Sequence, residues 1–207
     1  MLGLSNVASA SLIIQLATAV AAGATGAAAY KGYRATGSPT FLRLFGSFLF
    51  LALGLLIEAI SPTISDTVLS AALMIVGSAL EAAGYFLLAL SHFFTVRSDI
   101  SALGTMLLVP ATSVSALNSI NLMERVISLY LLLYISAETV IFLFQNRSAL
   151  TLVSVSGLLL ITMGVLLDLF VSSTAGFSFI FDAVRLAGFV VLLSPATILL
   201  RHRPGDS

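Results

Sequence analysis

Seven apolar runs, each close to the length that crosses a lipid bilayer, make up most of this chain of 207 residues. A transmembrane α-helix needs roughly 20 mostly apolar residues, because the hydrocarbon core is about 30 Å thick. Hydrophobic residues form 59% of the sequence and charged residues only 9%, which leaves too few charges to cover a water-soluble core. We therefore expect an all-α, polytopic transmembrane helix bundle with seven spans: Ala8–Tyr30, Phe41–Ile60, Val68–Phe93, Ile100–Leu117, Val126–Phe144, Leu150–Val171 and Phe179–Leu200.

The fourth span is the weakest of the seven. It is short, rich in Ser and Thr, and interrupted by Pro110. A proline removes one hydrogen bond from the helix ladder, which a membrane helix tolerates when neighbouring groups satisfy the freed carbonyl. A tilted or half-buried segment is the alternative to a full crossing.

Basic residues predict the orientation of the bundle, because cytoplasmic loops carry an excess of Lys and Arg. If the N-terminus lies outside, the outer side holds Arg125, and Arg185 lies some way into the seventh span. The remaining basic residues then fall on the inner side, and they are Lys31, Arg34, Arg43, Arg97, Arg147, Arg201 and Arg203. This bias predicts an N-out, C-in topology.

Two pairs of spans resemble each other, which indicates an internal repeat. The segment from Gly54 to Glu58 aligns with the segment from Gly164 to Asp168, and Glu81-Ala82-Ala83-Gly84 aligns with Arg185-Leu186-Ala187-Gly188. Both pairs of spans run in the same direction, so the repeat is parallel with a 3+1+3 layout, a plan that transporters use. It divides one membrane domain into residues 1–97 as the first half, 98–125 as a linker helix and 126–207 as the second half.

Charged residues inside the spans are the strongest functional signal, because an ionisable group at membrane depth is costly and usually finds a partner or water. Glu81 and Arg185 occupy equivalent positions in the two halves with opposite charge, so we expect them to form an ion pair. Asp182 precedes Arg185 by one helical turn and is expected to join that pair. Glu58 and Asp168 lie nearer the outer surface, where they either line the mouth of a cavity or form a solvated rim.

Glu138 also lies in the middle of a span, and no basic residue is assigned to its depth. A carboxyl group in such a place is expected to hold a proton unless water or a cation reaches it. Glu138 is therefore a candidate proton or cation site. The alternative is a neutral glutamic acid that hydrogen-bonds across helices to Ser, Thr or Tyr, for instance to Tyr85 or Tyr130.

Small residues at helical spacing distinguish the first span. Ala19, Gly23 and Ala27 form one small-xxx-small row, and Ala22 and Gly26 form another. Small residues let helix backbones approach closely, so we expect this span to pack within the bundle, or else against another protomer or a partner protein.

Several function classes are excluded or disfavoured. The zero net charge argues against nucleic acid as a partner, and the absence of Cys excludes thiol catalysis and thiolate metal sites. The two histidines, His92 and His202, suggest neither a metal nor a haem site, and we expect no cofactor. No nucleophile–base pattern is evident, so we do not expect an enzyme, although a lipid-modifying activity built on carboxylates alone stays open.

Three functions remain. The first is a small transporter or ion-conducting protein that uses the buried charges for a small solute or cation. The second is a non-catalytic subunit or scaffold of a membrane complex, or a homo-oligomer. The third is a seven-helix membrane sensor that acts through a partner. In each of them the chain is embedded in membrane lipid, and the low Lys and Cys content favours the cell membrane of a prokaryote.

Overall fold

A computed structural model describes residues 2–93, 117–145, 147–171 and 178–201, and the fold below refers to these residues. They are helical, without strands, and a short 3-10 turn, Ser61–Thr63, follows the second helix. The six α-helices are α1 (Leu2–Thr36), α2 (Pro39–Ile60), α3 (Thr67–Phe93), α4 (Leu117–Gln145), α5 (Ala149–Val171) and α6 (Ser178–Arg201).

Five of these helices, α1 to α5, are long and apolar enough to cross a membrane, which indicates a membrane-embedded protein. The sixth helix coincides with the last predicted span. The fourth predicted span, Ile100–Leu117, lies outside the described residues except for Leu117. That residue begins α4, nine positions before the predicted start of the fifth span at Val126. The first turns of α4 contain Asn118, Asn121 and Glu124, and hydropathy alone does not recognise so polar a stretch as helix.

Short turns with specific backbone chemistry separate the first three helices. α1 ends at Thr36, and the next residue, Gly37, has a positive φ of 67°, which suits a residue without a Cβ. The Gly37 N–H donates to the Tyr33 carbonyl at 2.7 Å. Pro39 then opens α2, where its fixed φ and missing N–H fit the first helical position. At the next connection, Asp66 Oδ1 accepts the N–H groups of Val68 and Leu69 and so caps α3.

The helices form a closed ring in which α1 contacts α2 and α6, and the other neighbours follow chain order. Contacts at two depths of the bundle show the direction in which α6 runs relative to α1 and α2. Asp182, near the start of α6, bonds Ser11 near the start of α1. Phe189, two turns later, meets Phe48 midway along α2.

Between α4 and α5, Arg125 bonds Asp168 and Ser136 bonds Thr162, so these two helices are antiparallel. Together the contacts place the starts of α1, α3, α4 and α6 at one end of the bundle, beside the C-termini of α2 and α5. We call this the Ile60 end and the opposite one the Thr36 end. Because α3 and α4 run in the same direction, Phe93 lies at the Thr36 end and Leu117 at the Ile60 end.

Small residues of α1 pack inside the bundle. Ala19, Ala22 and Gly26 are buried, and a Cβ on Gly26 would lie 3.2 Å from the Cβ of Phe48 in α2. Gly23 also faces α2. Ala27, the last residue of the row Ala19–Gly23–Ala27, is exposed and lies outside this interface. Close packing inside the bundle therefore accounts for most of these positions.

Candidate functional site: a buried ion pair between two glycine crossings

The crossing of α2 and α3 brings two carboxylates into one interface. Gly54 and Glu58 lie one turn apart on α2, and Gly77 and Glu81 lie one turn apart on α3. A Cβ on Gly54 would come within 2.9 Å of Glu81 Cγ, and a Cβ on Gly77 within 2.7 Å of Glu58 Cγ. Each glutamate side chain therefore lies over the glycine of the opposite helix, in space that any larger residue would fill.

The crossing of α5 and α6 repeats this arrangement. In both crossings a glycine faces a charged residue of the next helix, and a second glycine, three residues after that charge, faces an aliphatic side chain. All four hypothetical Cβ contacts measure between 2.5 and 2.9 Å. The contacts, first in α2–α3 and then in α5–α6, are Gly54 with Glu81 and Gly84 with Leu51, followed by Gly164 with Arg185 and Gly188 with Ile161.

Glu81 and Arg185 meet across the inside of the ring. Arg185 Nη2 donates to Glu81 Oε2 at 2.6 Å, and the two side chains are only 9% and 8% exposed respectively. The backbones of α3 and α6 are not neighbours among the described residues, so the long side chains span the gap between them. This is the contact that the alignment of the two halves predicts. Because the pair is buried, the attraction between the two charges is only weakly screened, but both side chains have lost their hydration.

Three polar atoms around this pair have no hydrogen bond within the described part of the chain: Glu81 Oε1, Arg185 Nε and the Tyr85 hydroxyl. Tyr85 is 1% exposed and lies near the Arg185 guanidinium, without the geometry of a hydrogen bond. Buried polar atoms in proteins are nearly always hydrogen-bonded. The cluster can therefore accept further polar contacts, one through a carboxylate oxygen, one through an N–H and one through a hydroxyl.

Asp182 takes a different partner from the one that the sequence predicts. Its Oδ2 accepts hydrogen bonds from Ser11 Oγ at 2.7 Å and from Gln15 Nε2 at 3.2 Å, both on α1. Asp182 lies within electrostatic range of Arg185, but no ion pair or hydrogen bond is formed between them among the described residues. One helical turn places the two side chains on the same face, but α1 lies closer to Asp182 than the Glu81–Arg185 pair does.

Toward the Ile60 end, further charged groups surround the pair. Arg125 of α4 forms an ion pair with Asp168 of α5, and these side chains are 31% and 28% exposed. Glu124 accepts a hydrogen bond from Ser78 of α3. Glu58 is partly exposed and lies within electrostatic range of Glu81, Asp168 and both arginines.

Glu138 lies apart from this cluster. It is partly exposed on α4, beside Tyr134 and well toward the Thr36 end. The predicted hydrogen bond to Tyr85 is wrong, because the Tyr85 hydroxyl has no such partner and faces Arg185 instead. Tyr130 is 44% exposed and forms no described contact with Glu138. The role of Glu138 as a proton or cation site stays a prediction.

Sequence reasoning missed three contacts: Arg125 with Asp168, Ser78 with Glu124, and Asp182 with Ser11 and Gln15. The first had a usable signal, since Arg125 and Asp168 both stand near the ends of spans that adjoin in the chain. The other two join distant helices through ordinary Ser and Gln residues, and no sequence pattern marks them.

Within the described residues, no group of three or more His, Asp or Glu side chains is arranged to hold a metal ion. A cavity of about 460 Å³ lies near the turn between α4 and α5, lined by Leu143, Phe144, Arg147 and Leu152 among others, at the Thr36 end and away from the buried pair. No protein family, curated protein or solved structure matches this chain.

Proposed function

We propose that this chain is a small multi-pass transporter or ion-conducting protein in which the buried charges of α3 and α6 belong to a polar pathway. The observation that carries the proposal is the Glu81–Arg185 pair with its three unpartnered polar atoms. Apolar side chains of similar volume often stabilise a protein as well as a buried ion pair does, so the pair suggests a use beyond packing. The charges of Glu58, Asp168 and Arg125 extend from it toward the Ile60 end, where a solute or ion would enter.

The proposal includes seven spans in a parallel 3+1+3 repeat, with residues 1–97 and 126–207 as the two halves. The matching glycine crossings support it, because their partners are displaced by a constant 110 residues on one helix and 104 on the other. The opposite placement of Phe93 and Leu117 supports it as well, since the intervening chain has to connect the two ends of the bundle. We place the Ile60 end outside, because Lys31, Arg34 and Arg43 lie at the Thr36 end.

Flux through reconstituted vesicles tests the pathway. We expect the wild-type protein to carry protons or monovalent cations, detected with a pH-sensitive dye inside the vesicles and an imposed ion gradient. Glu81→Gln keeps the size of the side chain and removes its charge, and it should abolish flux in protein that remains folded. Asp66→Asn removes a carboxylate at the same end of the bundle, in an exposed turn, and should leave flux unchanged.

A structural role is the competing function, and one observation favours it. Both helices that carry the pair pack closely against a neighbouring helix through glycines, and both side chains of the pair are more than nine-tenths buried. This arrangement suits a subunit or scaffold in which the ion pair stabilises the fold. Removing one partner of such a pair costs about 3–5 kcal/mol, because the other charge stays buried and alone. If wild type shows no flux, and Glu81→Gln and Arg185→Gln each unfold while the double variant recovers stability, the subunit function replaces the transporter.

A further inference from the structure

The carboxylates near the buried pair outnumber the arginines. Glu81 is matched by Arg185, and Asp168 by Arg125. Glu58 lies within electrostatic range of all four of these groups and has no arginine of its own. A net negative charge in a membrane interior is unfavourable, and in the interface of α2 and α3 two carboxylates share one arginine, so that interface needs one additional positive charge whenever both are ionised.

The reciprocal crossing of α2 and α3 holds Glu58 and Glu81 in one interface. Each side chain has its Cγ over the glycine of the facing helix, so both carboxyl groups occupy the same interface. Two ionised carboxylates in that interface repel each other. A proton shared between them, or a cation bound to both, relieves this repulsion.

Two buried oxygens are available to receive that positive charge. Glu81 binds Arg185 through Oε2 and leaves Oε1 without a hydrogen bond among the described residues, and the Tyr85 hydroxyl is unpartnered as well. Both side chains are more than nine-tenths buried. Glu58 is partly exposed and lies in the last turn of α2, toward the Ile60 end.

We propose that Glu58 and Glu81 together bind one exchangeable positive charge, either a proton or a small monovalent cation, with the Tyr85 hydroxyl as a third oxygen ligand. As a proton, it makes Glu58 a neutral acid whose O–H donates toward the free oxygen of Glu81. As a cation, it is held by oxygen atoms alone, the ligand type that hard cations prefer. Glu58 and Glu81 share one arginine, so a single positive charge neutralises this interface, which fits a monovalent ion.

Charged and polar groups face this site from the other helices of the ring as well. α1 contributes neutral Ser11 and Gln15, which bind Asp182 of α6. The remaining groups are Arg185 on α6, Arg125 and Glu124 on α4, and Asp168 on α5. None of the carboxylates among them lacks a described partner.

This inference deepens the proposed function by naming its ion, and it rests on that function only for the use of the site in transport. Binding can be measured without flux. Infrared spectroscopy of the full chain in lipid vesicles detects the C=O stretch of a protonated carboxylic acid and its loss as the pH rises. Thermal unfolding in sodium, potassium and choline chloride detects a bound cation, because a ligand of the folded state raises Tm with concentration.

For a proton, we expect a carboxylic-acid band that titrates with pH, is absent in Glu58→Gln and persists in Asp66→Asn and Glu138→Gln. For a cation, we expect sodium or potassium, but not choline, to raise Tm in wild type and not in Glu58→Gln. If Glu58→Gln does not fold, the same titrations of Glu138→Gln decide, because that variant keeps the site and removes the other candidate acid of the membrane spans.

The absence of both a titrating band and a cation-dependent Tm would overturn the inference. A positive binding result without any flux would instead leave the inference standing and refute the transporter.

Discussion

Replacing Gly188 by alanine is the sharpest test of the glycine crossings. A Cβ at this position would lie 2.6 Å from Ile161 Cγ1, 2.7 Å from the Gly157 carbonyl oxygen and 2.8 Å from the Ile161 nitrogen. Ordinary van der Waals contact begins at about 3.4 Å. Two of the three contacts are with backbone atoms, so no rotamer change relieves them, and α6 must move away from α5 by about 0.7 Å.

The expected cost follows from that displacement. A gap of this size forfeits roughly a quarter to a half of the dispersion energy of each affected contact, and overpacking a well-packed site typically costs about 1–3 kcal/mol. Alanine regains up to about 1 kcal/mol over glycine through helix propensity. We therefore expect Gly188→Ala to lower the free energy of unfolding by about 1–2 kcal/mol. It should also weaken the ion pair, because Arg185 lies three residues earlier on the same helix.

Unfolding by a denaturing detergent in mixed micelles, followed by circular dichroism, measures this change. Gly23→Ala is the matched control, since its Cβ would meet Ala52 at an ordinary 3.8 Å and the variant should be neutral or slightly more stable. Gly84→Ala should fall between the two, because its one close backbone contact, with the Ser47 carbonyl oxygen, is longer at 3.0 Å than the two backbone contacts of Gly188. The reasoning fails if Gly188→Ala is as stable as Gly23→Ala.

Two smaller effects distinguish other parts of the bundle. Arg125→Gln should cost no more than about 1 kcal/mol and lose its effect in high salt, since the Arg125–Asp168 pair is partly exposed. A cost of several kcal/mol, unchanged by salt in the same unfolding assay, would contradict this. Asp66→Ala should cost about 1 kcal/mol by removing the cap of α3, whereas Asp66→Asn keeps an acceptor oxygen and should cost little. Equal costs for both substitutions would argue against capping.

Helix positions could be predicted from the sequence where apolar length alone defines them. The predicted spans Phe41–Ile60 and Leu150–Val171 differ from α2 and α5 by at most two residues. Prediction failed where a helix extends beyond its apolar part, as at the start of α4. There the polar residues Asn118 and Asn121 carry no hydropathy signal, although Glu124 and Arg125 of the same stretch make tertiary contacts.

The contact between Glu81 and Arg185 could be inferred because two sequence segments align and place opposite charges at equivalent positions. Its use as a pathway remains a prediction. The partners of Asp182 could not be inferred, since Ser11 and Gln15 are common residues on a helix 171 and 167 positions away. Periodicity identifies the face on which a side chain lies, but it does not say which helix lies closest to that face.

The charge reversal between the two halves has a physical reason within the proposed repeat. In a structure with two equivalent halves, the side chains at positions 81 and 185 point toward each other across the ring. Identical carboxylates there would repel in a medium that screens poorly, and identical guanidiniums would do the same. One glutamate and one arginine attract each other instead and form the 2.6 Å contact. Gly54 and Gly164 leave room for either side chain. Because position 81 holds a glutamate and not an arginine, Glu58 has no positively charged partner of its own. We therefore expect an ion or proton to bind in the first half, at Glu58 and Glu81. Asp168 in the second half needs no such ion, because Arg125 already supplies its positive charge.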